Sequence, residues 1–359
     1  MKRIRLIFLF TVLAQWSVAQ VIYTADNNPG AIGGADTFTG ATALQDAVAF
    51  ASPGDIIHVT RSNINYGTTT ITKQLTIYGI GLNADTDGNT FSSVGTVVID
   101  DPVASGTRIS GLNIGSQLTL GGVAGSLTNL LIENSRIRWI QHADVNTTLS
   151  TIIIRNNVIG SGFTTSDEKI DLIGGAISNI IIANNVIYTN NFTNQGVITA
   201  SNGTSVENNL FIGLGNPTVF AFEDFHGNSV KNNIFFRLRP TGISGFTNNT
   251  FENNISFSTG ADAFSTASGN ISINNLIGDP LLTNVPTATS IDYSTFDPTL
   301  LGGSPAIGTG EGGTDMGVFG GGSPMDIEGT LIPTVQSLTL PSIVVKGDVL
   351  PVQIKAKGN

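Results

Sequence analysis

Short apolar runs, each closed by an asparagine-rich turn, recur through the middle of the chain. They read LIENSRI at 131–137, IIRNNVI at 153–159, IIANNVI at 181–187 and SVENNLF at 205–211. SVKNNIF at 229–235, TFENNIS at 250–256 and SINNLI at 272–277 follow. From Asn157 the second asparagine recurs at 185, 209, 233, 254 and 275, at intervals of 28, 24, 24, 21 and 21 residues. Runs this short and this β-branched predict strands with one inward face. Asparagine tolerates the left-handed backbone, so each pair predicts a sharp turn, and stacked turns place the amides within hydrogen-bonding reach of one another. A period in this range is that of a solenoid, in which each unit buries its apolar face only against its neighbours. The pattern predicts an all-β protein, a parallel β-helix, with the asparagines in a structural role.

The N-terminal part of the repeat region differs. Residues 42–51 place Leu44, Val48 and Ala51 at helical spacing, and Ser52-Pro53-Gly54-Asp55 ends the pattern. Strands are predicted at 56–59, 70–72 and 75–79. A helix laid over the first turn hides a sheet edge that would otherwise recruit other strands.

These segments carry a resemblance. ALQDAV at 43–48, SPGDII at 52–57 and ITKQLTIYGIG at 71–81 resemble the N-terminal cap of the pectin-lyase-like right-handed β-helix superfamily. SPAIGTG at 304–310 and DMGVF at 315–319 resemble the closing segment of secreted right-handed β-helix proteins, especially those of Bacteroidetes. The likeness spans about residues 40 to 320. It implies the fold and leaves the activity open, because lyases, hydrolases, esterases and adhesins share that architecture.

Residues 1–19 read as a secretory signal. Lys2, Arg3 and Arg5 precede a short apolar stretch, and Ser17-Val18-Ala19 supplies small residues for cleavage before Gln20. The apolar stretch is short for a membrane span, which takes about 20 residues. The expected destination is the cell exterior or the cell surface. Residues 20–320 are assigned to the β-helix. Residues 321–359 form a linker, Gly320-Gly321-Gly322-Ser323-Pro324, and a small β cap or tail.

Composition narrows the partners. The formal net charge is −10, and loss of the three basic residues of the signal leaves −13. An acidic, sparsely charged surface argues against nucleic acid and anionic membrane. The absence of cysteine removes disulfides, thiolate chemistry and a lipid-modified cysteine. The 43 glycines and 13 prolines do not signal disorder, because 40% of the residues are hydrophobic and gather in strand-like runs.

Three polar spots are candidates for chemistry. In the longest interval between repeats, Asp167, Glu168 and Asp171 are ligand types for calcium, with Lys169 beside them; a solvated loop insertion is the alternative. Glu223, Asp224 and His226 precede Arg237 and Arg239, and Asp262 follows one coil later. If the coils stack in register, Asp171, Asp224 and Asp262 line one stripe with the arginines between, an arrangement suited to sugar binding or to carboxylate-driven hydrolysis. Scattered acids on an acidic solenoid are the alternative. Arg136, Arg138, Trp139 and His142 form the third spot. There an exposed indole would stack on a sugar while the arginines hold its polar groups, unless Trp139 fills the core at a corner. The functional expectation is non-catalytic binding of an extracellular polysaccharide or surface glycan. A polysaccharide lyase or glycoside hydrolase is the alternative.

Overall fold

The computed structural model describes residues 20–82, 90–161, 169–189, 196–214, 219–285, 291, 295–326, 334–339 and 353–357. The expected signal segment and the candidates Asp167 and Glu168 lie outside the described residues. Among the described residues, twelve parallel strands from Ile22–Asp26 and Thr37–Thr39 to Ile271–Ile273 form the first face of a β-helix. A sheet of fifteen strands supplies the second and third faces. Asn113–Leu120 spans both of them; later coils divide the work, as with Val158–Ser161 on the second and Ile170–Asp171 on the third.

The turn from first to second face explains the repeat. Its leading asparagine, at positions 134, 156, 184, 208, 232, 253 and 274, has φ between 49 and 57°. The following residue is turned inward. Asn157 N donates to Asn185 Oδ1 at 2.9 Å, Asn185 N to Asn209 Oδ1 at 2.9 Å, and Asn209 N to Asn233 Oδ1 at 2.8 Å. The ladder continues through Asn254 to Asn275. Each amide also donates to a carbonyl of the preceding coil, as Asn185 Nδ2 does to Ile154 O at 2.8 Å. Buried backbone groups that a tight corner would orphan are thereby satisfied. A second ladder, Asn228, Asn249 and Asn270, holds the corner leading back to the first face.

Alternation fills the interior. Ile109, Ile132, Ile154, Ile182, Val206, Val230 and Phe251 stack coil upon coil beneath the first face, each fully buried. Toward the C-terminal coils the filling becomes aromatic. Phe211 and Phe235 stack at 4.7 Å, and Phe222 packs on Phe225 at 4.3 Å.

The helix Ala43–Phe50 covers the first coil as expected, burying Ala43, Leu44, Ala47 and Val48. Its Gln45 side chain accepts from Thr70 N at 2.8 Å, and Lys73 Nζ donates to the helix-end carbonyls Ala49 O and Ala51 O.

At the other end, among the described residues, the last parallel strand is Leu276–Ile277. The chain then forms the antiparallel pair Leu282–Asn284 and Asp297–Leu300, and a tail, residues 304–326, runs back over the second face. The cause is apolar side chains on both sides of that face. Outward-facing Val158, Val186, Leu210, Ile234 and Ile255 pack with Ala306, Met316, Val318 and Met325 in a core separate from the interior of the coils. Thr334–Thr339 and Gln353–Lys357 form a further antiparallel pair.

Candidate functional site

The aspartates singled out in the sequence do not converge. Asp171 lies on the third face, where the register sets it beside Thr199, and Thr199 beside Glu223. Asp171 Oδ1 accepts from Thr199 Oγ1 at 2.9 Å and from Ile173 N at 3.2 Å. Asp224 falls on the following corner, at φ 42°, and accepts from Ser244 Oγ at 3.1 Å. Asp262 closes its own turn by accepting from Thr259 N and Thr259 Oγ1 at 2.8 and 2.7 Å. The neighbour that extends the Asp171 column is therefore Glu223. Nor do the arginines stand between the aspartates: Arg237 forms a corner at φ 57°, and Arg239 lies over the Phe220 ring at 5.2 Å. Lys169 is buried. Among the described residues no cluster of three or more His, Asp or Glu is arranged to hold a metal ion.

The third spot serves packing. Arg136 donates from Nε to Leu82 O at 2.7 Å and stacks over Phe91 at 4.0 Å, holding the chain on either side of 83–89. Arg138 is next along that edge, and Trp139 is half-buried with its indole Nε1 shut away from solvent. His142 is 3% exposed, and its Nδ1 accepts from Gly175 N at 3.1 Å.

A concave site lies elsewhere, where the tail passes the edge of the first face. This cleft has a volume of about 540 Å³ and a floor of Ile153, Ile181 and Ala183. Its charged walls arise from one outward column of the first face, in which successive coils contribute Ser110, Glu133, Arg155, Ala183, Glu207, Lys231 and Glu252. Glu133 is 2% exposed; it receives Arg108 on Oε1 and, at 2.9 Å, Arg155 on Oε2. Lys231 Nζ stands 2.8 Å from Glu311 Oε2 of the tail and 4.0 Å from Glu207 Oε2. Hydrogen bonding to Glu311 holds the Lys231 ammonium above the ordinary lysine range, against a smaller opposing effect of burial.

The tail is fixed by the outward asparagines. Asn184 Nδ2 donates to Val318 O and Gly320 O at 3.0 and 2.8 Å, and Asn232 Oδ1 accepts from Glu311 N at 2.8 Å. At the far end Arg155 Nη1 reaches Ser323 Oγ at 3.4 Å. None of these cleft residues stood out as a sequence candidate. The available signal is the residue just before each leading asparagine, which reads Glu133, Arg155, Ala183, Glu207, Lys231, Glu252 and Ile273 through the repeats.

A family model described as a right handed beta helix region matches residues 121–277. The fold of this chain is a right-handed parallel β-helix. The match covers the coils carrying the asparagine ladder and the floor of the cleft, and stops where the parallel strands stop. Among curated proteins none matches in sequence. A solved structure similar to this β-helix is an alginate lyase from Paenibacillus sp. str. FPU-7, with 18% identity over 72% of this chain and 98% of that one, at a TM-score of 0.30.

Proposed function

We propose that this β-helix binds an uncharged extracellular glycan in the cleft between its first face and its tail, without turning it over. The observation that carries the reading is that the charges lining the cleft are already paired. Arg155 is committed to Glu133, and Lys231 to Glu311 and Glu207. Paired carboxylates and cations still exchange hydrogen bonds with hydroxyls. They offer no excess positive charge to a polyuronate. The aliphatic floor suits the C–H face of a sugar ring. A lyase needs a base that gives up its proton near neutral pH, and Lys231 is held in the opposite direction.

The test is a screen of purified residues 20–359 against neutral glycans, pectin, alginate and glycosaminoglycans, with and without calcium, following binding, unsaturated products and reducing ends. Binding of neutral glycans without products is expected. Unsaturated products or new reducing ends that disappear on a cleft substitution such as Glu207→Gln would overturn it.

A second reading, glycoside hydrolysis on the third face, is favoured by one relationship. Asp171 and Glu223 lie two coils apart with Thr199 between them. Two strand spacings put their backbones roughly 9.5 Å apart, near the upper end of the ~6.5–9.5 Å separation of an inverting carboxyl pair. New reducing ends abolished by Asp171→Asn would establish this reading.

A further inference from the structure

The outward column that lines the cleft continues toward the N-terminal end of the solenoid. Ser110 is in register with Tyr78, and Tyr78 with His58. Both rings point outward, because they alternate with Ile77 and Ile57, which are fully buried. They meet edge to face at 6.1 Å, and both remain partly open to solvent. Arg108, from the adjoining outward column, lies over the Tyr78 ring at 5.2 Å. The same guanidinium holds Glu133, which in turn holds Arg155 at the cleft wall. A continuous chain of side-chain contacts therefore links the aromatic pair to the cleft.

Resting on the glycan reading of the cleft, we infer that His58, Tyr78 and Arg108 form a second sugar subsite collinear with it. The first face then grips an internal stretch of an uncharged glycan chain rather than a single terminal sugar. Outward aromatic rings supply flat apolar area against which sugar C–H groups pack, and ring nitrogens, phenol and guanidinium supply hydrogen bonds. Burial lowers the His58 pKa, so its imidazole is neutral at neutral pH and adds no charge to the track. Six coil steps separate Tyr78 from Lys231, which at about 4.8 Å per step is about 29 Å. A polymer lying along the helix axis spans both subsites, so its two anchored ends act through effective concentration.

The experiment is titration of size series of glucan, mannan and xylan oligosaccharides, from disaccharides upward, into wild type, Tyr78→Val, Tyr78→Phe and Glu207→Gln, with melting curves to show retained folding. In wild type, affinity is expected to rise about tenfold or more once the oligomer spans both subsites. Tyr78→Val is expected to lose that increment, Tyr78→Phe to keep most of it, and Glu207→Gln to weaken every length. Short oligomers that bind with no length increment, or an increment that survives in Tyr78→Val, would overturn the second subsite and leave the cleft standing. Failure of every series to bind would overturn the cleft reading itself.

Discussion

Lys231 Nζ and Glu311 Oε2 lie 2.8 Å apart although 80 residues separate them in sequence, and their contact joins the first face to the tail over the cleft. Glu311 also anchors through its backbone, donating from N to Asn232 Oδ1. Charge and amide thus act at one end of the strap. The Arg155–Ser323 contact acts at the other.

Glu311→Gln is expected to cost little global stability, because the carboxylate is half exposed and pairs of this kind contribute about 0.2–1 kcal/mol. Its local effect should be larger. Amide hydrogen exchange across residues 311–323 should quicken while exchange in the Asn209 and Asn233 corners stays slow, and added salt should produce the same trend in wild type. The Lys231 pKa is raised in the folded state, so the pair's contribution holds below the unfolded lysine value of 10.5 and is lost as pH rises through the folded one. Equal protection of the strap in both proteins would show that the ion pair does not hold it.

The buried ladder should be far less forgiving. Asn209 Oδ1 accepts from Asn185 N, and its Nδ2 donates to Ile182 O and Asn233 Oδ1. Asn209→Ala strands several buried groups at once, at about 1–3 kcal/mol each. Asn275, on the last parallel coil among the described residues, is only partly buried. Asn275→Ala should cost a fraction as much in urea unfolding. Equal losses at the two positions would mean that the ladder contributes no more inside the stack than at its end.

Much of this architecture is legible in the sequence because each coil repeats one local device. The asparagine pair states both the left-handed corner and the buried amide in adjacent letters, and Ile153, Ile181 and their equivalents mark the strand before it. The cleft is not legible in this way. It needs Glu311 and Ser323 to return across coils that ended near Ile277, and no periodicity encodes where a tail lands. The misplaced aspartate stripe has a similar origin. Asp224 and Glu223 are adjacent letters, and only the strand register decides which of them stands in line with Asp171.

A second left-handed position identifies a stabilising substitution. Asn129, Thr151 and Asn179 interrupt three neighbouring first-face strands at φ 58, 54 and 53°. A β-branched residue is strained there, by roughly 1–2 kcal/mol. Thr151 Oγ1 accepts from Asn179 Nδ2 at 3.3 Å, and an asparagine amide oxygen can take over that role. Thr151→Asn is expected to raise stability by about 1 kcal/mol, read as a higher denaturant midpoint at unchanged slope. A lower midpoint would show that the threonine methyl packs better than its backbone suffers.

Acid sensitivity should trace to His142. Burial lowers its pKa from 6.5, opposed by carbonyls of Leu172 and Thr147 and by the charges of Asp171 and Asp144. Its Nδ1 accepts from Gly175 N, which requires a neutral ring, and Nε2 finds no partner of good geometry among the described residues. A Cβ at Gly175 would collide with the ring, and one at Gly174 with the His142 backbone carbonyl. Protonation would set an N–H against the Gly175 N–H inside a packed corner. Because the folded-state pKa lies below the unfolded one, the neutral ring's contribution is complete above 6.5 and is lost as pH falls toward the folded value. His142→Gln keeps an acceptor for Gly175 N and cannot protonate. Urea unfolding of the two proteins from about pH 7.5 to pH 5 should give curves that differ in slope, with wild type losing stability faster on acidification. Parallel curves would assign the acid response to carboxylates elsewhere in the solenoid.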